Sequence, residues 1–284
     1  HARSRAPAWS AYFAAKKKGI AFVTTFHGTY GIENYLKKLY NSIMVKGDAI
    51  IAISKFIKEH IKKNYNVQKS IQVIPRGVDI DFFSPKKVSN ARMISLANKL
   101  KITEVDYTIL MPGRLTEWKG QKQAIKALSM IKTSNVKLII VGDMQKRNKY
   151  KDSLMKYANI FGVQRYIIFV EHSRDLPAFM MLSDLILSCS TKPEAFGRVI
   201  LEAQAMGRPI IAYNHGGAVE LLNENENGIL SAVKNTKQLA KNIDLVLSYS
   251  NSKRKILASK SISNVKKKYQ TKFMTEKTIS LYKR

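Results

Sequence analysis

The chain has 284 residues, 45% hydrophobic and 24% charged, the balance of a folded protein with room for two domains. No apolar run approaches the roughly 20 residues that span a bilayer, no secretory leader opens the sequence, and the lone Cys189 excludes an internal disulfide, so a cytoplasmic setting is expected. With 49 basic against 20 acidic residues the net charge is +29, a field that draws anionic partners, although the lysines are scattered as on solvated helix faces.

Short β-branched runs alternate with helix-period stretches, the pattern of parallel sheets covered by helices. The chain opens on His1 rather than methionine, as a fragment or processed form would. Residues 6–18 read as a helix with Pro7 in its first turn and Gly19 at its end, and 20–26 as a strand. Residues 34–46 are amphipathic, with Tyr35, Leu36, Leu39, Tyr40, Ile43 and Met44 on one side. That stripe is expected to face the core, although Lys37 and Lys38 beside it would also suit a membrane surface. Residues 49–53 read as a strand, Ser54 as the cap of the next helix, and 71–74 as a third strand closed by Pro75-Arg76-Gly77.

Residues 84–105 are polar and loosely patterned, which puts a domain boundary near residue 95. A second series follows, with strands at 107–111, 136–141, 167–170, 185–188, 210–212 and 228–230. Helices are expected at 121–132, 151–161, 176–182, around 199–206, at 236–249, and as one long final helix over 252–282. Three strands before the boundary are few for a doubly wound sheet.

Two loops carry the candidate chemistry. After the strand ending at Ser188 comes Glu194-Ala-Phe-Gly-Arg-Val-Ile-Leu-Glu202. Pro193 and Gly197 place Glu194 in a loop and start the helix near Gly197, with Glu202 about a turn inside it. The free N–H groups and dipole of that helix start favour a phosphate, and Gly197 lets backbone approach a ligand. The other loop, Met111-Pro112-Gly113-Arg114-Leu115-Thr116-Glu117-Trp118-Lys119-Gly120, also links a strand to a helix. Ligands of open α/β sheets bind beyond the carboxyl ends of the strands, so the loops should converge. The Arg114 fork and the compact Lys119 charge suit a diphosphate leaving group, with no metal required.

Taken together, these motifs resemble the retaining glycosyltransferases of family 4. Thr25-Phe26-His27-Gly28, the run from Gly47 to Ser54, Ile74-Pro-Arg-Gly-Val-Asp79, the Arg114 to Lys119 loop, Val141-Gly-Asp143, the Glu-x7-Glu segment and Asn214-His-Gly-Gly217 occur in the family's order. The resemblance implies an α/β chain of the GT-B class, two Rossmann-like domains facing a cleft. It implies a partial N-terminal, acceptor-side domain over 1–94, a nucleotide-sugar-binding domain over 95–262, and a helix over 263–284 crossing back to the first. The family's opening strand and glycine-rich loop have no counterpart here, so a second chain supplying that half is one expectation.

The same resemblance implies the roles of the residues. Arg114 and Lys119 hold the donor diphosphate, Glu194 the sugar hydroxyls and Glu202 the ribose. Gly113, Ala195, Phe196, Gly197 and Val199 line the donor, and His27 approaches its sugar. The catalytic set is then His27, Arg114, Lys119 and Glu194. The two glutamates are not a hydrolase acid–base pair. Asp143 and the Gly216-Gly217 pair serve either a turn or the donor.

The implied substrate is a nucleoside-diphosphate sugar, with no cofactor and no metal. The implied acceptor is an anionic glycolipid or polysaccharide of the cell envelope, met in the cytoplasm at the inner face of an anionic membrane. A donor-binding module without transfer is the alternative. Nucleic-acid binding is the remote one, for which no helix-turn-helix, zinc spacing or RRM-like aromatic motif appears, and no nucleic-acid partner is expected.

Overall fold

A computed structural model describes residues 1–143, 148–222 and 228–283. The chain forms two compact units: His1–Gly77 with Glu194–Phe196 and Thr271–Arg284, and Val78–Pro193 with Gly197–Gln270.

The first unit holds a parallel sheet of β1 (Val23–Phe26), β2 (Ala49–Ala52) and β3 (Ile71–Val73), in that order. β1 is buried along its whole length and β2 is apolar throughout, as in strands covered on both faces. On the far side of β1, Ala2 pairs with Thr24, donating to the Val23 carbonyl at 2.8 Å and accepting from Thr25 at 3.0 Å. Phe26, Ile50, Ile57 and Ile61 are fully enclosed. Met274 and Leu281, from helix Thr271–Tyr282, pack on Val23, Ile51 and Ile74. Ser54 caps helix Lys55–Asn64 as expected, its hydroxyl accepting from the Ile57 amide at 3.0 Å.

The amphipathic stretch departs from expectation. Only Tyr35–Asn41 is α-helical; Asn34 caps it, and Ser42–Val45 tightens into a 3-10 turn. Ile43 and Met44 are buried, but Tyr35, Leu36, Leu39 and Tyr40 face outward, Tyr35 and Leu36 at 77% and 74% exposure. The change of helix type rotates the last turn relative to the first, so one apolar stripe serves two sides.

The second unit is a six-stranded parallel sheet. Its strands are β4 (Tyr107–Pro112), β5 (Val136–Val141), β6 (Ile167–Val170), β7 (Leu185–Ser188), β8 (Ile210–Tyr213) and β9 (Ile229–Ser231), in the order β6-β5-β4-β7-β8-β9. All its pairings are parallel. This is the doubly wound arrangement, and its direction reverses between β4 and β7, where such sheets open a crevice. Ile109, Leu138, Ile140, Leu185 and Ile211 anchor a core closed by Ile125, Leu239 and Ile243.

Two helical expectations are corrected. The polar stretch before β4 contains helix Asn90–Leu100, capped by Ser89 and held by a forked Arg92–Asp175 pair whose Nε–Oδ2 contact is 2.8 Å. The long final helix is two helices, Asn251–Lys268 and Thr271–Tyr282. They part at Tyr269 and Gln270, where the Tyr269 carbonyl accepts from the Val78 amide at 2.8 Å and Gln270 bridges to Val78. Capturing that carbonyl across the fold ends a helix whose sequence carries no proline or glycine stop. The chain is therefore α/β in both units, each built on a parallel sheet.

Candidate functional site

The loops that leave β4 and β7 flank the reversal point of the second sheet, and backbone packing locks them together. Gly120 has φ +85°, and a Cβ there would lie 1.9 Å from the Cys189 carbonyl oxygen. Thr191 donates its amide to the Trp118 carbonyl at 2.7 Å. Gly142 does the same for the start of the β4 loop, since a Cβ on it would lie 1.9 Å from the Gly113 carbonyl. Buried Gln121 donates its side-chain amide to the Arg114 carbonyl at 3.0 Å, so the turn carrying Arg114 is held from inside. Arg114 itself is exposed, and Lys119 lies over the Trp118 ring at 4.5 Å.

Helix Arg198–Ala205 begins where the sequence predicts. Gly197, at φ +98°, stands at its N-terminal boundary, and the first amides of the helix have no side-chain cap. Glu202 is 5% exposed. Burial raises its pKa, opposed first by Arg198, 3.0 Å away, and then by Lys119. Lys119 and Glu202, read from segments more than eighty residues apart, thus share one electrostatic neighbourhood within the second unit. The His215 ring meets the Ser190 carbonyl at 2.7 Å, tying the loop after β8 to the loop after β7.

Gly113, Arg114, Lys119, Gly197, Val199 and Glu202 all belong to this unit. Glu194, Ala195 and Phe196 group with the first unit, where the Ser54 hydroxyl donates to the Ala195 carbonyl at 2.6 Å. The Ser54 contact was not foreseen, because Ser54 also had a complete explanation as a helix cap. Arg198 was overlooked, although its i, i+4 spacing from Glu202 was visible. His215 lies inside a quoted motif, but nothing local indicated its reach to Ser190. Among the described residues, no three His, Cys, Asp or Glu side chains group so as to hold a metal ion.

His27 also belongs to the first unit, at the end of β1. It borders a cavity of about 240 Å³ with Arg3, Thr25 and Arg76. Arg3 Nε and Arg76 Nη1 each lie 3.2 Å from a different ring nitrogen. Burial, then Arg76 and Arg3, lower its pKa from 6.5 to about 4. The folded ring stays neutral while the unfolded one takes up a proton, so its stabilising contribution is complete above pH 6.5 and is lost as the pH falls toward 4. His27→Gln should therefore flatten the acid side of a plot of Tm against pH in that window. An unchanged acid limb would show that this ring does not govern it.

The comparisons with known proteins agree with this fold. The model for Glycosyl transferases group 1 matches residues 94–263, and that for Glycosyltransferase Family 4 matches residues 1–82. An uncharacterized glycosyltransferase of Methanocaldococcus jannaschii is 28% identical over 82% of this chain and 59% of its own length. The GDP-mannose-dependent alpha-(1-6)-phosphatidylinositol monomannoside mannosyltransferase of Mycobacterium tuberculosis is 30% identical over 64% of this chain and 48% of its own. The chain thus spans between about half and three-fifths of these two curated relatives.

The crystal structure of a glycosyltransferase from Rickettsia africae superposes with a TM-score of 0.92 at 37% identity, covering 99% of this chain and 75% of the other. HepE of Anabaena, solved with UDP and glucose, shares the fold at a TM-score of 0.87 and 24% identity, over 98% and 75% of the two chains. The fold is that of the GT-B glycosyltransferases. The group 1 model covers more than half of the residues, and the chain belongs to the glycosyl transferases group 1 family.

Proposed function

We propose that the protein transfers a hexosyl group from a nucleoside-diphosphate sugar to a cell-envelope glycolipid or polysaccharide, with retention of anomeric configuration. In this reading 95–262 is the donor domain, 1–94 the acceptor-side domain, and 263–284 the segment, with helix Thr271–Tyr282, that returns to it. The acceptor is met at the cytoplasmic face of a membrane. One observation carries the reading: Lys119 is close enough to the buried Glu202 to affect its ionisation, beside uncapped helix amides at a sheet reversal point. That combination supplies cations and N–H groups for a diphosphate and a carboxylate for ribose hydroxyls.

Arg114 and Lys119 then take up the charge that develops as the bond from the anomeric carbon to the phosphate oxygen breaks. The acceptor oxygen forms its bond on the same face, and its proton passes to the departing phosphate. Glu194 holds the sugar hydroxyls, Gly113, Ala195, Phe196, Gly197 and Val199 shape the donor pocket, and the neutral His27 offers a hydrogen bond without adding charge. No metal is assigned to this step. The name of the 30%-identical mannosyltransferase supports a sugar nucleotide and a lipid acceptor, and leaves base and sugar open.

Calorimetry with a panel of nucleotide sugars, followed by a transfer assay, tests the proposal. Glu202→Ala should weaken binding of the preferred nucleotide sugar roughly ten- to a hundredfold, the worth of hydrogen bonds to a charged group. Equal affinity in the variant would remove Glu202 from the ribose site. A second reading, donor binding without transfer, draws on the small three-stranded sheet of the first unit. Donor affinity without turnover against any acceptor would select it.

A further inference from the structure

The exposed side of helix Tyr35–Asn41 does not stand alone. Trp9, on helix Arg5–Lys18, stacks on Tyr40 at 6.5 Å and on Phe13 at 6.2 Å, and its indole N–H donates to the Tyr40 carbonyl at 3.2 Å. Phe13 is 60% exposed, and Tyr40 continues into Leu36 one helical turn earlier and then Leu39 and Tyr35. Two helices of the first unit thus present one outward apolar and aromatic surface. Neither helix contains an acidic residue. Arg5, Lys16, Lys17 and Lys18 lie on one, and Lys37 and Lys38 on the other. Among the described residues no helix is long and apolar enough to cross a membrane.

We infer that this surface is an interfacial docking site for an anionic lipid bilayer. Tyrosine buries an apolar ring while keeping a polar edge in the headgroup layer, which suits Tyr35 and Tyr40, and Trp9, its N–H held by the Tyr40 carbonyl, adds ring area. Leu36, Leu39 and Phe13 supply area for shallow insertion, and the lysines meet lipid phosphates. Charge selects this occupant over a second copy of the chain. A two-fold pairing would lay the same patch, basic apart from Glu33 beside Lys37 at 3.5 Å, against itself and oppose mostly cations with cations. The inference deepens the lipid-acceptor part of the proposed function, yet vesicle binding requires neither donor nor transfer.

Flotation of the purified chain with phosphatidylcholine vesicles, and with vesicles containing about a third phosphatidylglycerol, tests it. Binding should be at least roughly tenfold stronger to the anionic vesicles and fall with salt. Leu36→Ser with Leu39→Ser, and separately Lys37→Glu with Lys38→Glu, should each lower it by on the order of tenfold. Ile94→Ser with Val105→Ser, two exposed apolar positions of the second unit, should leave it unchanged. In a Trp118→Phe background, Trp9 emission should shift to the blue on binding. Three outcomes overturn the inference: equal binding to both vesicle types, full binding by both patch variants, or a dimer in solution that the patch variants dissociate. Donor binding by calorimetry is read separately, so loss of one activity does not count against the other.

Discussion

Lys119→Ala should lower turnover on the preferred sugar nucleotide by on the order of 10²- to 10³-fold, the usual effect of removing one group aimed at developing charge. Lys119 is the candidate for that effect because its surroundings leave it little freedom. It stands over the Trp118 ring, next to a glycine that cannot carry a side chain, and it influences Glu202. The loss should fall mainly on kcat if the charge is needed at the transition state and on KM if it only grips the ground state. Steady-state kinetics with the screened donor separate the two. Glu194→Ala should abolish turnover comparably, because sugar hydroxyls left unheld misplace the reacting carbon. Full activity in both variants would mean that the donor site lies elsewhere.

The second large effect is structural. Gly120→Ala should destabilise the protein by about 2–4 kcal/mol, combining a backbone conformation alanine avoids with a clash against rigid backbone. The added methyl would sit 1.9 Å from the Cys189 carbonyl oxygen, far inside contact distance, so the loops after β4 and β7 would have to part. Both loops carry or lead into proposed donor residues, so donor affinity should drop as well. Urea titration followed by tryptophan fluorescence reads the stability change, and calorimetry on the still-folded variant reads the affinity. An unchanged urea midpoint would show that the two loops are not packed as described.

How far the sequence could be read depended on the range of the forces involved. Continuous apolar runs such as Leu138 to Val141 read as covered parallel strands, and helix Leu176–Leu182 was placed at its observed bounds. By contrast, the polar stretch containing Asn90–Leu100 carries little periodic signal. It is held instead by Arg92 reaching Asp175, 83 positions away. The stripe from Tyr35 to Met44 misled because a helical period identifies an apolar side but not what covers it. The structure divides that stripe between a buried 3-10 turn and an exposed helical face.

At the candidate site the division is the same. From the sequence alone came the strand–loop–helix frame, the helix start at Gly197, Glu202 about a turn inside that helix and the cationic loop of Arg114 and Lys119, all set by spacing within a dozen residues. The tertiary structure alone decided that β4 and β7 are neighbours, that Gly120 must lie against Cys189, and that Lys119 comes near enough to favour the charged form of Glu202. It also decided that burial, with Arg76 and then Arg3 beside the ring, keeps His27 neutral. These contacts depend on the order of strands in the sheet and on burial, which follow from packing the whole chain rather than from any local pattern.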